Sequence, residues 1–223
     1  MLKTFRKTAK RILRPTQWGD FRSLEPKSRH YGVDRGTALD RHYIESFLEA
    51  HRKDVRGVVL EVASDAYARR FGGDRLAKTE VISIVQGEGV TIVGDLTDPA
   101  TLPKETFDCI ILTQTLCFIY DARAAIANCH AALKPGGVLL MTNPGICQIS
   151  SFDDTLTGDY WRFTTASVEK LLGAFSEVQV RSYGNVLAAT AYLHGIAKEE
   201  LSSEELDHDD REYQLIIAAR AVK

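Results

Sequence analysis

Three stretches of the 223-residue chain combine residue types that can do chemistry. The first, residues 57–73 (GVVLEVASDAYARRFGG), sets one carboxylate, Glu61, into the apolar run Val58, Val59, Leu60 and Val62. A carboxylate near the C-terminal end of a doubly covered strand stands where open α/β sheets bind their ligands. The second, residues 29–36 (RHYGVDRG), places His30 and Asp34 in a polar loop, with His42 a little further on. Imidazoles and carboxylates in such a loop can act as general bases. The third, residues 158–164 (GDYWRFT), puts Asp159 beside Tyr160, Trp161 and Arg162. Aromatic faces there can stack on a ring, and the guanidinium can hold an anion or stack in turn. The same three rings can equally serve to pack the loop and staple the next helix.

The elements that must position these residues are read from periodicity and punctuation. Residues 37–52 form a helix with Leu39, Tyr43, Ile44, Phe47 and Leu48 on one face, Thr37 as its N-cap and Asp40 three residues later. Together with the loop before it, this helix suits a lid, with Tyr43 as a substrate contact. In the plainer alternative, Asp40 and Arg41 are only capping and surface charges. Apolar runs at 58–62, 80–85, 90–93, 107–112, 138–142, 178–182 and 213–219 read as strands. Residues 121–133 read as a helix stopped by Pro135-Gly136-Gly137, and residues 165–174 as one capped by Thr165 or Ser167. Residues 185–206 read as a helical insertion. Its Leu187, Tyr192, Leu193 and Ile196 would cover the site, pack on the sheet edge or form a homodimer contact. Strands alternating with helices predict an α/β, doubly wound, Rossmann-like sheet. The domain spans 37–223, and 1–36 form a basic helix and lid loop.

Composition narrows the class. The apolar and charged fractions are those of a globular domain, and no apolar run reaches the ~20 residues of a membrane span. Residues 1–57 carry 14 Lys/Arg against 7 Asp/Glu, while the remainder carries 14 against 23. This polarity suggests either arm and body packing together or a basic arm meeting an acidic partner. Residues 1–14 read as an amphipathic basic helix, either a weak membrane-surface contact or a packed N-terminal helix. The near-neutral balance argues against nucleic acid. Cys109, Cys117, Cys129 and Cys147 lack CxxC spacing, so buried thiols are expected and no metal site. Charges recurring through residues 1–14 do not suit a signal peptide, and a cytoplasmic protein is expected.

The ordered landmarks resemble those of class I S-adenosylmethionine-dependent methyltransferases from about residue 40 onward. Val59-Leu60-Glu61-Val62 resembles the family's first motif, and Val93-Gly94-Asp95-Leu96 its segment after the third strand. Leu102-Pro103 before Phe107-Asp108, and Leu133-Lys134-Pro135-Gly136-Gly137, are similar to two further elements. The resemblance implies seven strands, the last antiparallel, with S-adenosylmethionine over the C-terminal edges of the first ones and S-adenosylhomocysteine as product. It implies a cofactor site of Glu61, Ala63, Ser64, Asp65, Ser83, Asp95, Leu96, Gln114 and Thr115. Glu61 would accept from the cofactor's ammonium and Asp95 from its adenine amino group, with Gln114, Thr115 and Leu116 near the transferable methyl. Backbone N–H groups around residues 64–67 would face the cofactor.

The sequence departs from the family pattern in two respects. Ala63, Asp65 and Tyr67 stand where the family usually has glycines, and Ser83, with Gln86 and Glu88 nearby, stands where it has the acid that holds the ribose. The expected activity is methylation of a hydroxyl on a small-molecule or carbohydrate-like acceptor. His30, Asp34, His42 and Asp159 are the candidate bases, and Tyr43, Tyr160, Trp161 and Arg162 the candidate acceptor contacts. The alternatives are a binding or scaffolding subunit on the same fold and a cyclase or isomerase that reuses the cofactor pocket.

Overall fold

A computed structural model describes residues 19–150 and 158–223. The basic helix expected at residues 1–14 lies outside them.

A seven-stranded sheet forms the centre, in the order β3-β2-β1-β4-β5-β7-β6. Its strands are β1 (Gly57–Val62), β2 (Leu76–Ser83), β3 (Ile92–Val93), β4 (Phe107–Thr113), β5 (Leu133–Pro144), β6 (Glu177–Tyr183) and β7 (Ile216–Val222). β1 to β5 pair in parallel, and β7 runs antiparallel between β5 and β6. Val59, Leu60, Ile110, Ile111, Leu139 and Leu140 are fully buried, as central strands covered on both faces require. The helices are α1 (Asp40–Ala50), α2 (Ala66–Gly72), α3 (Ala122–Ala132), α4 (Thr165–Leu171), α5 (Val186–Leu193) and α6 (Ser203–Asp207). Ile44, Phe47 and Leu48 of α1 pack with Phe71 of α2 and Val59 of β1 on one face, and Ile126 and Val168 cover the other.

Several boundaries differ from the sequence reading for identifiable reasons. α1 opens at Asp40 with no side-chain cap. Thr37 is engaged elsewhere, its N–H donating to Glu199 Oε2 at 2.9 Å and its carbonyl accepting from Lys198. β2 begins at Leu76 rather than 80, because its first half is largely exposed and polar. Thr164, not Thr165 or Ser167, caps α4, with Ser167 closing a capping box. The insertion at 185–206 is two helices, capped by Asn185 and Ser202.

The loop before α1 docks on the insertion. The backbone N–H groups of Lys27 and Ser28 donate to His194 O, Arg35 grips Glu200 with two bonds of 2.9 and 2.6 Å, and Ala38 bridges Ala197. Two glycines make the approach possible. Gly195 sits at φ +64, and a Cβ there would lie 2.3 Å from Ser28 O, while one on Gly32 would lie 3.0 Å from Gly195 O. Among the described residues no helix is long and apolar enough to cross a membrane, and no cluster of His, Cys, Asp and Glu could hold a metal. All four cysteines are free, and only Cys147 is not fully buried.

Candidate active site

The first-motif turn is built without the family's glycines. Ala63 adopts φ +66, the left-handed conformation that glycine holds at least cost. Asp65 turns back toward the fold, accepting from Arg69 Nε at 2.6 Å and Thr79 Oγ1 at 2.8 Å. These bonds hold its carboxyl below the usual range and offset its charge. Tyr67 packs its ring on Phe71 at 5.9 Å and accepts from Arg41 Nη1 at 2.7 Å. The bulk of both side chains is therefore directed at α2 and its neighbours, and Arg41 sets a cation beside the turn.

Glu61 is 3% exposed. Its carboxylate accepts from the Tyr67 and Ala68 backbone N–H groups at 3.2 and 2.7 Å, at the start of α2. Burial outweighs these bonds and raises its pKa to about 7. Ser64 N–H goes to Val62 O, so the N–H groups of Ser64 and Tyr67 are spent inside the protein.

The far end of the sheet edge is apolar and open. Ile84, Val85 and Val93 are exposed around the ends of β2 and β3, beside Ser83 and the loop of Gln86 and Glu88. Asp95 is exposed, its Oδ1 accepting from Thr97 N–H at 2.8 Å, while Leu96 is buried below it. At the end of β4, Gln114 takes φ +49 and donates its N–H to Thr142 O at 2.8 Å, and the Thr115 hydroxyl donates to Thr113 O.

Buried polar atoms without partners concentrate here. Among the described residues six such side-chain atoms occur, and five belong to Asp40, Gln114, Thr142 and Asn143. Thr142 and Asn143 end β5 as Gln114 follows β4, and Asp40 faces Gln114 from the start of α1. Orphaned buried groups are rare in folded proteins, and a cluster of them at one sheet edge marks a place prepared for a ligand.

The loop after β5 closes the other side. Asp159 has a side chain 2% exposed and is held by Arg162, with Nη2 at 2.8 Å, and by Ser150 N–H at 2.9 Å. Arg162 also donates to the carbonyls of Cys147, Gln148 and Trp161. This pair clamps the loop. Tyr160 and Trp161 both donate their N–H groups to Cys117 O, and Trp161 Nε1 reaches Ile119 O at 3.1 Å. Tyr120 completes an exposed group of rings, 5.3 Å from Tyr160 and 5.8 Å from Trp161.

The remaining candidates are dispersed. His30 is exposed on the lid, and Asp34 accepts from the Ser28 hydroxyl. His42 Nε2 lies 2.9 Å from Asp207 Oδ1, turned toward α6. Tyr43 is buried, stacked on Tyr183 and donating to Leu206 O at 3.0 Å, so it belongs to the core under the insertion. Sequence reasoning passed over Tyr120, and placed Tyr31 only within the lid cluster and Tyr192 only among the insertion residues that could cover the site. Tyr31 reaches from the lid to the Ser150 side chain, its ring 5.9 Å from Tyr192. Their exposure or burial follows from tertiary packing.

Comparison with known proteins agrees with this geometry. Residues 42–141 match the family described as Methyltransferase domain. The fold is similar to a SAM dependent methyltransferase from Archaeoglobus fulgidus, with a TM-score of 0.56 and 12% identity over 86% of this chain and 97% of that one. It is also similar to the N-methyltransferase NodS from Bradyrhizobium japonicum in complex with S-adenosyl-L-homocysteine, with a TM-score of 0.56 and 15% identity over 88% and 93%. A third, an S-adenosylmethionine dependent methyltransferase from Mesorhizobium loti, gives a TM-score of 0.54 and 16% identity over 86% and 100%. No curated protein matches the sequence significantly. The fold is that of S-adenosylmethionine-dependent methyltransferases, and residues 42–141 match the methyltransferase domain. The edge described above suits S-adenosylmethionine, with an open apolar slot at one end, a positive-φ turn in the middle and unsatisfied polar atoms at the other.

Proposed function

We propose that the protein transfers the methyl group of S-adenosylmethionine to a hydroxyl of a small-molecule or carbohydrate-like acceptor. When bound, the cofactor supplies an electrophilic methyl on a positively charged sulfur. The residues of the chain position the acceptor behind that methyl, where proximity and alignment give much of the acceleration. In this reading Ile84, Val85 and Val93 hold the adenine, Ser83 and Asp95 bond the ribose and the adenine amino group, and Glu61, Ala63, Ser64 and Asp65 form the wall behind the methionine part. Leu96 supports the Asp95 loop from below, and Gln114 and Thr115 border the reacting end.

The observation that carries the acceptor class is the exposed group of Tyr120, Tyr160 and Trp161, tied to Cys117 three residues past Gln114. Aromatic faces at the mouth of a site stack on the apolar faces of sugars and on aromatic rings. Arg162 shapes this platform by clamping its loop. His30 and Asp34 approach the acceptor from the lid, whereas His42 and Asp159 act through the packing they maintain. No nucleic-acid contact belongs to this reading. The open faces of Leu187 and Leu193 on α5 suit a second copy of the chain, and the basic segment 1–14 a weak contact with a membrane surface.

The test is incubation with methyl-labelled S-adenosylmethionine and a panel of sugars, phenols, amines and carboxylic acids. Label in an alkali-stable ether of a sugar or phenol is expected. Label confined to amines or alkali-labile esters would overturn the hydroxyl assignment, and cofactor binding without transfer to any class would favour the scaffolding alternative.

A further inference from the structure

Asp40 is 7% exposed, and its Oδ1 has no hydrogen-bond partner. Around it stand Arg41 on its own helix, Tyr67 from α2, Gln114 after β4, Cys147 after β5 and Tyr192 from α5, with Tyr31 of the lid beyond Tyr192. The Oε1 of Gln114 is likewise buried and unpartnered. Asp40 Oδ1 and Gln114 Oε1 are thus two buried acceptors without a donor on side chains that meet after β4, the end assigned above to the reacting methyl, while the Tyr192 hydroxyl and the Gln114 amide approach the Asp40 carboxyl itself. A carboxylate in such a place lowers stability unless something supplies a proton or a positive charge.

We propose that Asp40 is the catalytic carboxylate of the transfer centre, facing the sulfonium of the bound cofactor and accepting the proton of the acceptor hydroxyl. This deepens the reading of the protein as a hydroxyl methyltransferase and rests on it. The acceptor oxygen bonds the methyl carbon as the carbon–sulfur bond breaks, and the electron pair of that bond stays on the now neutral sulfur. The hydroxyl proton passes to Asp40 Oδ1 and leaves to water when the products depart. Burial raises the Asp40 carboxyl above its ordinary range, Arg41 opposing, so in the empty site it holds a proton at higher pH than an exposed aspartate does. A sulfonium beside it favours the ionised form, which readies the base only when methyl donor is present. S-adenosylhomocysteine, with the same ammonium and carboxylate but a neutral sulfur, lacks that effect. The site thereby favours donor over spent product.

Calorimetric titration of S-adenosylmethionine and S-adenosylhomocysteine, each in two buffers of different ionisation enthalpy, reads the protons released on binding. Any proton linked to Glu61 is common to both ligands and cancels in the difference. The expected result, over a pH series from about 5 to 8, is more protons released with S-adenosylmethionine than with S-adenosylhomocysteine somewhere in the series, and loss of that difference in Asp40→Asn. Melting curves check that the variant is folded. With a hydroxyl acceptor from the labelling panel, kcat of Asp40→Asn should fall about 10²–10⁴-fold while the affinity for S-adenosylhomocysteine holds. Equal proton release by the two ligands in the wild type throughout the series, or an unchanged difference in Asp40→Asn, overturns the role of Asp40 and leaves the methyltransferase reading standing. Failure of both ligands to bind overturns the two together.

Discussion

Replacing Glu61 with glutamine separates the two effects that act on this buried side chain. The carboxyl ionises near pH 7 in the folded protein and near 4.5 in an ordinary setting. A carboxyl whose pKa is raised by folding gives its full stability below the unfolded value and loses it as pH rises through the folded one. At about 1.4 kcal/mol per pH unit, the loss between about pH 4.5 and 7 is roughly 3 kcal/mol. Glutamine keeps the shape and removes that ionisation. It can accept only one of the two backbone N–H groups that Glu61 holds, and its own N–H₂ faces the other, a penalty of about 1–2 kcal/mol at any pH. Glu61→Gln should therefore be less stable than wild type by about 1 kcal/mol near pH 5 and more stable by a similar amount near pH 8. Urea denaturation at a series of pH values measures this directly. A wild-type-minus-variant difference that stays constant across the series would refute the reasoning, because the buried carboxyl would then titrate no differently in the two states.

Three further outcomes follow from particular contacts. Ala63→Gly removes an L residue from φ +66 and should raise stability by about 0.5–1 kcal/mol, a gain of a few degrees in melting temperature. An unchanged or lower melting temperature would mean the turn is not held as described. Gly195→Ala drives a methyl into Ser28 O and should release the loop before α1 from the insertion, seen as new tryptic cleavage at Arg29 and Arg35 with the sheet intact. Tyr120→Ala and Trp161→Ala should raise KM for a sugar or aromatic acceptor about tenfold while leaving S-adenosylhomocysteine affinity as it was. Loss of both would place the rings in general packing.

The sheet was legible because its code is local. Val58 to Val62, the FDCIIL run and the apolar stretch of β5 announce buried strands by composition alone, and the ordered motifs supply their connection. The failures come from contacts that the local pattern does not announce, some between neighbours on one turn and some between residues far apart in the chain. Thr37 has the sequence of a helix cap, but Glu199 takes its N–H from 162 positions away. Asp65 stands where the family has a glycine, and only the fold shows its charge offset by Arg69 and Thr79. His42 and Asp159 have the chemistry of bases, yet Asp207 and Arg162 engage them. Asp40 carried the opposite error. Among the charges at a helix start it reads as ordinary, and only the fold shows that it is buried with its Oδ1 unpartnered.

The claim on which the rest depends is that the C-terminal edge of β1 to β4 binds S-adenosylmethionine. Calorimetric titration of S-adenosylhomocysteine into protein freed of carried-over ligand tests it most directly, with Val93→Asp as the control because that residue is 53% exposed in the proposed adenine slot and its replacement spares the core. One-to-one binding by the wild type and its loss in Val93→Asp is the predicted result. No binding, or binding that Val93→Asp leaves untouched, would contradict the account.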